Sequence, residues 1–283
     1  MPSSHYFPTV TLPSGATIPT FGLGTWRMGE SARRRAEEVA ALAHGLSLGI
    51  TLIDTAEMYG DGEAERIVAD AVGSRRDEVF IVSKVLPENS SRRGTVAACE
   101  RSLKRLKTDR IDLYLLHWRC SPPLEETLEA FASLTAAGKI RHWGVSNFDI
   151  GEMSELWETA GGQAVATNQV LYNLTRRGIE FDLMPWCRKR GIPIMANSPI
   201  EQGRLLDHAT LREVAARHDA TPAQLALAWL TRQTGVITIP KAGTRAHVEE
   251  DLAALDLRLT RDDLATLERA FPPPKKPQPL DML

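Results

Sequence analysis

Four polar residues of different chemical types occur at or just after the ends of short apolar runs in the first half of the chain. Asp54 closes one apolar run, and Tyr59 follows it five residues later. Lys84 and His117 each end a further apolar run. An acid, a phenol, an ammonium and an imidazole in one place are suited to protonating a carbonyl oxygen while a hydride arrives at the carbonyl carbon. These four residues, here called the tetrad, are the predicted catalytic residues.

The phenol of the tetrad is a weak acid by itself, with an ordinary pKa of about 10. A nearby ammonium stabilises phenolate, so we expect Lys84 to lower the pKa of Tyr59. Asp54 is expected to keep Lys84 charged and in place, and His117 to donate a hydrogen bond to the substrate oxygen. A positioned general acid contributes about 10²–10⁴-fold in rate.

The tetrad belongs to a repeating pattern of short apolar segments, each followed by an amphipathic stretch. The segments are almost entirely apolar, which is typical of parallel strands buried on both faces. Eight strands are predicted, at Phe21–Thr25, Thr51–Thr55, Val79–Lys84, Ile111–His117, Ile140–Ser146, Ala166–Val170, Ile192–Ala196 and Val236–Ile239. Their number and even spacing favour a closed (β/α)8 TIM barrel of the α/β class over a doubly wound open sheet. We predict one such domain over residues 1–283.

Some predicted elements lie outside this repeat. Thr9–Leu12 and Ala16–Ile18 flank a Pro-Ser-Gly turn and are expected to form an N-terminal β-hairpin that closes one barrel end. The long gap before the last strand has room for two extra helices near the C-terminus, at Leu211–His218 and Pro222–Thr234. Ser31 is the expected N-cap of the first barrel helix. The apolar face of that helix is expected to include Ala36, Val39, Ala43 and Leu46.

The active site of a barrel of this kind is built at the carboxyl ends of its strands. The polar residues at or just after the predicted strand ends are Thr25, Asp54, Lys84, His117, Ser146, Asn147, Gln169 and Ser198. Their shared position predicts that they surround one cleft.

The composition of the chain indicates which classes of binding partner to expect. The chain has 283 residues and a formal net charge of -2, with 43% hydrophobic and 25% charged residues, which is typical of a globular protein. No apolar run reaches the roughly 18 residues of a membrane span, and no signal-peptide stretch occurs at the N-terminus. We therefore predict neither a membrane nor a nucleic-acid partner. Cys99, Cys120 and Cys187 are far apart, which predicts a reducing cytoplasm and no metal.

Five short segments, taken in order, resemble the aldo-keto reductase superfamily. They are Gly22–Trp26, Ile53–Gly60, Gly144–Phe148, Asn168–Gln169 and Ile239–Lys241. The resemblance extends from about Phe21 to Phe271, and the bacterial branch that reduces methylglyoxal and similar aldehydes is the most similar.

The resemblance implies a reductase that transfers a hydride directly from NADPH to a small carbonyl compound. Tyr59 is then the proton donor, Lys84 and Asp54 adjust its acidity, and His117 orients the carbonyl. The implied cofactor-binding residues are Thr25, Trp26, Asp54, Ser146, Asn147, Gln169, Asn197, Ser198, Pro199, Ile200, Lys241, Ala242, Gly243, Thr244, His247, Glu250 and Asp251. The implied substrate pocket contains Trp26, Leu86 and Trp118, and the C-terminal segment Leu280–Leu283 is expected to close over it. A monomer is expected.

Two positions depart from the family pattern. Asn197 occupies the place of a tyrosine whose ring stacks on the nicotinamide. His247 occupies the place where most NADPH-using members carry an arginine, a permanent phosphate ligand. Lys241 remains, and Arg245 is expected to compensate. NADPH is therefore expected as the cofactor, with NADH as the alternative.

Other interpretations of the same residues are possible from sequence. Asp54 is also a reasonable helix N-cap, and Lys84 could extend from the barrel rim into solvent. Ser146 and Asn147 could cap the following helix. A barrel isomerase or aldolase would use Lys84 as a Schiff-base nucleophile. A regulatory protein that senses the nicotinamide cofactor on the same fold is the alternative from a different class.

Overall fold

Ten strands occur in the computed structural model, which describes residues 7–119 and 121–283; Cys120 lies outside these ranges. In chain order the strands are β1 (Thr9–Thr11), β2 (Thr17–Pro19), β3 (Gly22–Gly24), β4 (Leu52–Asp54), β5 (Phe80–Val85), β6 (Ile111–Leu116), β7 (Ile140–Ser146), β8 (Asn168–Leu171), β9 (Ile194–Asn197) and β10 (Val236–Thr238). Strands β1 and β2 form an antiparallel pair, and β3 to β10 form one parallel sheet whose order follows the chain.

The helices, in chain order, are α1 (Arg35–Ser47), α2 (Glu63–Val72), α3 (Arg92–Leu106), α4 (Leu124–Ala136), α5 (Ile150–Glu158), α6 (Leu183–Lys189), α7 (Ala209–Ala216), α8 (Pro222–Thr231), α9 (Arg245–Ala253) and α10 (Arg261–Ala270). Helices α1 to α8 lie between successive strands of the parallel sheet, and α9 and α10 follow its last strand. The two extra helices predicted between the last two strands are α7 and α8. None of the helices in the described ranges is long and apolar enough to span a membrane.

The sheet closes on itself where β3 meets β10. The amide of Gly24 donates to the carbonyl oxygen of Pro240 at 2.7 Å, and the amide of Thr238 donates to that of Thr20 at 2.8 Å. Parallel bridges pair Phe21 with Thr238 and Gly24 with Lys241. The predicted (β/α)8 barrel is therefore confirmed.

The barrel interior is filled by one small apolar cluster that includes Leu52, Val82 and Leu115. Leu12 and Ile18 of the N-terminal hairpin belong to the same cluster, so the hairpin plugs one barrel end as predicted. Side chains two residues apart on a strand point to the same face. Asp54, Lys84 and His117 each lie two positions after one of those three residues. Their side chains therefore also point into the barrel, at the end opposite the hairpin.

The first helix differs from the prediction. It begins at Arg35 with Arg34 at the N-cap, so Ser31 does not cap it. Its buried residues are Glu38, Ala41, Leu42, Gly45 and Leu46, whereas Ala36 is exposed. Leu46 is buried and Val39 and Ala43 pack against the core, so Ala36 is the one residue of the predicted face that does not. Glu38 also turns inward, where its Oε2 accepts a hydrogen bond from the amide of Gly29 at 3.0 Å.

Candidate active site

A cleft of about 840 Å³ opens at the carboxyl ends of the barrel strands. This volume lies within the range of about 300–1,000 Å³ usual for small-molecule sites. Asp54, Tyr59 and His117 lie on its wall, next to the barrel axis. The position agrees with the general rule for barrels of this type.

Lys84 connects the acid and the phenol of the tetrad. Its Nζ donates to Asp54 Oδ1 at 2.7 Å, to Asp54 Oδ2 at 2.9 Å and to the carbonyl oxygen of Thr55 at 2.9 Å. The same atom lies 3.3 Å from the Tyr59 hydroxyl. Lys84 is fully buried, so it does not extend into solvent, and Asp54 binds Lys84 instead of capping a helix.

Tyr59 is held in place by the turn that follows β4. Gly60 has a φ of 55°, and a Cβ atom there would lie 2.7 Å from the carbonyl oxygen of Met28. This close backbone approach requires glycine. The Tyr59 ring makes edge contacts with Trp26 and His117 at centroid distances of 5.0 and 5.9 Å. The ring is therefore fixed on two sides with its hydroxyl directed to Lys84.

The acidity of Tyr59 depends on burial as well as on the two charges of the tetrad. Burial raises the pKa of the phenol, the Lys84 ammonium lowers it and the Asp54 carboxylate raises it, with a net increase above its usual value. The lowering expected from the Lys84 ammonium is therefore present, but burial outweighs it. For Lys84, burial lowers the pKa, but Asp54 and Tyr59 together outweigh burial and raise it. At neutral pH the site holds a protonated phenol beside a charged, paired lysine.

His117 is neutral in this environment. Burial and the nearby Lys84 ammonium lower the pKa of its imidazole to about 2. Its Nδ1 is buried and meets no hydrogen-bond partner among residues 7–119 and 121–283. The Trp118 ring lies against it at a centroid distance of 4.8 Å. Asn147 Nδ2 donates to the His117 carbonyl oxygen at 3.0 Å, which fixes the backbone at the end of β6.

Three polar residues form a linked group beside the tetrad. The Ser146 hydroxyl donates to the carbonyl oxygen of Gln169 at 2.9 Å, and Gln169 Nε2 donates to Asp54 Oδ2 at 2.8 Å. Asn147 has a φ of 57°, a conformation that is uncommon outside glycine but that asparagine tolerates. Asp149, which accepts from the Glu152 amide, caps α5. Ser146 and Asn147 therefore face the cleft and do not cap that helix.

Most of the predicted site residues lie on the cleft wall. Those on the wall are Trp26, Asp54, Tyr59, His117, Trp118, Ser146, Asn147, Gln169, Asn197, Ser198, Pro199, Ile200, Lys241, His247, Glu250 and Asp251. Lys84 lies directly behind Asp54 and Tyr59.

Five predicted cofactor or substrate residues are not on the wall, and they are Thr25, Leu86, Ala242, Gly243 and Thr244. Thr25 donates its hydroxyl hydrogen to the Asp54 carbonyl oxygen at 3.0 Å, and Thr244 Oγ1 caps α9 by accepting from the His247 amide. Leu86 follows the end of β5, where its amide donates to Glu57 Oε1 at 2.8 Å, so its place in the substrate pocket is not supported.

The sequence analysis missed part of the wall. Arg27, Glu30 and Arg34 reach it from the loop between β3 and α1, and Gln202 reaches it from the loop after β9. These residues do not follow strand ends directly, so the rule used for the sequence could not identify them. Arg245, expected to compensate for His247, is exposed and does not lie on the wall.

The C-terminal segment closes one side of the cleft. Met282 and Leu283 lie on the wall. Arg176 holds this segment, because its Nη1 pairs with Asp281 Oδ1 at 3.4 Å while its Nη2 pairs with Glu201 Oε1 at 2.9 Å. The closure expected for Leu280–Leu283 thus agrees with the positions of its last two residues.

Asp251 is a carboxyl group on the cleft wall, with only 5% of the residue exposed. This carboxyl group makes no hydrogen bond within the part of the chain that the structure describes. Burial, with a smaller contribution from the neighbouring Glu250, raises the pKa of Asp251 to about 8. The folded protein therefore keeps a proton on Asp251 at pH values where an unfolded chain, with an Asp pKa of about 3.9, releases it.

Asp251→Asn is expected to stabilise the cofactor-free protein at neutral pH. The raised pKa makes the wild type lose stability as the pH rises from about 4 to about 8. Asparagine has no proton to release, so the free energy of unfolding at pH 7 should increase by at least about 1 kcal/mol. Urea unfolding at pH 4 and pH 7 measures this. The gain in the free energy of unfolding should be absent at pH 4. An equal gain at both pH values would contradict the raised pKa of Asp251. Glu250→Gln, which makes the same charge change, is the control.

Comparison with known proteins agrees with this geometry. The sequence model described as "Aldo/keto reductase family" matches residues 20–271. The chain belongs to the aldo/keto reductase family. This makes it an oxidoreductase, as the tetrad predicted.

Several aldo/keto reductases are similar over nearly their whole length. Methylglyoxal reductase YeaE of Escherichia coli is 52% identical, over 94% of this chain and 96% of the relative. Glyoxal reductase of Bacillus subtilis is 36% identical, over 92% and 91%. A Klebsiella pneumoniae aldo-keto reductase, solved in complex with NADPH, has a TM-score of 0.95 at 50% identity and covers 99% of this chain and 100% of that one. The fold and the family membership of this aldo/keto reductase are therefore established together.

Proposed function

We propose that this aldo/keto reductase uses NADPH to reduce small aldehydes and ketones, methylglyoxal and aryl aldehydes among them, to alcohols. The observation that most supports this is the Tyr59 hydroxyl, which lies 3.3 Å from the buried Lys84 Nζ on the wall of an open cleft. The similarity to methylglyoxal reductase YeaE supports the substrate class. The neighbouring Klebsiella pneumoniae structure supports the cofactor.

The cleft suits a nicotinamide cofactor on the chemistry of its own residues. Within the described ranges, Asn147 Oδ1 and Gln169 Oε1 accept no hydrogen bond, so both are free to accept from a carboxamide NH₂ group. Lys241, further along the wall, provides a positive charge for a phosphate. The cleft thus has amide acceptors beside the tetrad and a cation away from it. No group of three or more His, Cys, Asp or Glu side chains in residues 7–119 and 121–283 is arranged to hold a metal ion.

The tetrad performs the proton chemistry of the reaction. A nicotinamide cofactor held by Asn147, Gln169 and Lys241 would supply the hydride for the carbonyl carbon. Tyr59 donates its hydroxyl proton to the carbonyl oxygen, and Lys84 stabilises the phenolate that results. Asp54 holds Lys84 through two short hydrogen bonds and keeps it charged. Neutral His117 retains one N–H, which we assign to Nε2, because the buried Nδ1 has no acceptor in the described structure. That N–H holds the carbonyl oxygen near Tyr59.

A Schiff-base mechanism at Lys84 is disfavoured by the same geometry. A nucleophilic lysine must be accessible and unprotonated. Lys84 is fully buried and bound to a carboxylate, and its pKa is raised by Asp54 and Tyr59. It is therefore neither accessible nor unprotonated at neutral pH.

A spectrophotometric assay tests the proposed function. Purified protein is mixed with NADPH and either methylglyoxal or benzaldehyde, and the loss of the reduced-nicotinamide absorbance is followed. Turnover that depends on both the carbonyl compound and the enzyme supports a reductase. Tight NADPH binding without reduction of any carbonyl compound would favour the cofactor-sensing alternative.

Asn197→Tyr is expected to tighten NADPH binding. Asn197 lies on the cleft wall at the end of β9, where the family carries a tyrosine that stacks on the nicotinamide. Aromatic stacking contributes about 0.5–1.5 kcal/mol, so the dissociation constant should fall by up to about tenfold. Fluorescence titration measures it, and Asn197→Leu controls for the added apolar bulk. An unchanged dissociation constant in the tyrosine variant would count against the stack.

We also propose that the protein acts as a monomer in the cytoplasm. The described cysteines, Cys99 and Cys187, are buried free thiols, which suits a reducing compartment. Size-exclusion chromatography with light scattering tests the monomeric state.

A further inference from the structure

Three cationic side chains lie on the cleft wall away from the tetrad. Lys241 follows β10, and Arg27 and Arg34 belong to the loop that joins β3 to α1. The ends of β3 and β10 are neighbours, because Gly24 forms a parallel bridge with Lys241. The two arginines therefore enter the cleft from the strand beside Lys241, and none of the residues predicted from sequence to bind phosphate lies in their loop.

The loop that carries Arg27 has a defined conformation. Arg27 has a φ of 62°, a left-handed conformation that costs a non-glycine residue about 1–2 kcal/mol. The amide of Met28 donates to the Thr25 carbonyl oxygen at 2.9 Å, and the amide of Gly29 donates to Glu38 Oε2 at 3.0 Å. Hydrogen bonds on both sides of Arg27 thus keep it in this conformation. A strained residue held by its surroundings is typical of functional sites.

Both guanidinium groups are available to an anion. Arg27 has no ion-pair or hydrogen-bond partner in the described ranges. Arg34 Nε lies 3.8 Å from Glu38 Oε1, which is a loose contact, and half of the Arg34 side chain is exposed, at 50%. A fork of five N–H donors with so few partners retains most of its capacity to bind a phosphate in a bidentate manner.

The cations lie within one electrostatic environment. Burial lowers the pKa of the Lys241 ammonium, and the charges of Arg34 and Arg27 lower it further, while Glu38 and Glu30 act in the opposite direction. Repulsion among cations is relieved when an anion binds between them. The nearby carboxylates belong to Glu38, which is buried and holds the loop, and to the exposed Glu30.

We propose that Arg34 and Arg27 bind a phosphate group of the nicotinamide cofactor opposite Lys241, and that they supply the charge that His247 and Arg245 do not. This inference rests on the proposed function, since it requires a phosphate-bearing cofactor in the cleft. The anion is either the 2′-phosphate, present only in NADPH, or the pyrophosphate, present in both NADPH and NADH. The positive charge thus comes from the first βα loop of the barrel rather than from α9.

The test measures the binding of both cofactors without turnover. Isothermal titration gives the dissociation constants of NADPH and NADH for wild type, Arg34→Ala and Arg27→Ala. Hydrogen bonds to charged groups contribute enough for each variant to weaken NADPH binding by about tenfold. Weakening confined to NADPH identifies the 2′-phosphate, and equal weakening of both cofactors identifies the pyrophosphate.

Arg33→Ala is the matched control, because Arg33 is exposed in the same loop and does not lie on the cleft wall. Arg34→Ala also removes the partner of the buried Glu38, so thermal unfolding checks its fold. Arg27→Ala leaves no carboxylate unpaired and gives an independent measurement. If both variants bind both cofactors as tightly as Arg33→Ala does, the inference is overturned. If wild type itself binds neither cofactor, the proposed function fails first.

Discussion

Tyr59→Phe is expected to reduce kcat for aldehyde reduction by at least about 10²-fold, the usual lower range for a general acid. The variant removes only the hydroxyl that lies 3.3 Å from Lys84 Nζ. The ring contacts with Trp26 and His117 are kept, so the cleft should retain its shape. The KM for the carbonyl compound and the dissociation constant for NADPH should change much less than kcat.

Steady-state kinetics with NADPH and methylglyoxal measure kcat and KM, and fluorescence titration measures the dissociation constant of NADPH. Tyr114→Phe is the matched control, because Tyr114 lies outside the cleft and packs against Phe131 at a centroid distance of 6.0 Å. A Tyr59→Phe enzyme that retains wild-type kcat would exclude Tyr59 as the proton donor. A loss of NADPH binding equal to the loss of kcat would show a structural role instead.

Lys84→Met is expected to lower the free energy of unfolding at pH 7 by about 3–5 kcal/mol and to abolish turnover. The substitution leaves the Asp54 carboxylate buried without its cation, and among the described residues only Gln169 Nε2 still donates to that carboxylate, at 2.8 Å. The pKa of Lys84 in the folded protein lies above its usual 10.5. The stabilisation that Lys84 contributes is therefore fully present below pH 10.5, the ordinary pKa of lysine. It is lost only as the pH rises through the pKa that Lys84 has in the folded protein.

The double variant Asp54→Asn with Lys84→Met separates charge from packing. A neutral pair leaves no uncompensated charge, so most of the lost stability should return while activity does not. Urea unfolding of wild type, both single variants and the double variant gives the coupling energy. If Lys84→Met alone costs less than about 1 kcal/mol, the ion pair does not stabilise the fold as the geometry implies.

The catalytic end of the barrel was predictable from sequence because local features of the chain indicate it. Near-continuous apolar runs identified the eight strands, and polar residues at the ends of those runs identified Asp54, Lys84 and His117. Tyr59 was recognised by its distance from Asp54 and by the family resemblance. None of these assignments needed a contact between distant parts of the chain.

The properties that sequence did not predict depend on contacts between distant residues. The pKa of Tyr59 rises because burial outweighs Lys84, and a sequence does not show the degree of burial. Glu38 turns inward and accepts a hydrogen bond from the amide of Gly29, a contact that the apolar periodicity of α1 does not indicate. Arg27 and Arg34 lie on the cleft wall but belong to the loop before α1, so the pattern of strand ends did not indicate them.

The barrel closes by pairing β3 with β10, so it cannot close until β10 has been synthesised. Asp54, Tyr59, Lys84 and His117 are all synthesised well before the strand Val236–Thr238 leaves the ribosome. Until then β3 has an unpaired edge, and an exposed parallel edge can pair with another chain. A nascent chain that stalls before β10 would contain the whole tetrad but would lack the strand that covers the edge of β3. We therefore expect such an incomplete chain to aggregate unless a chaperone binds it.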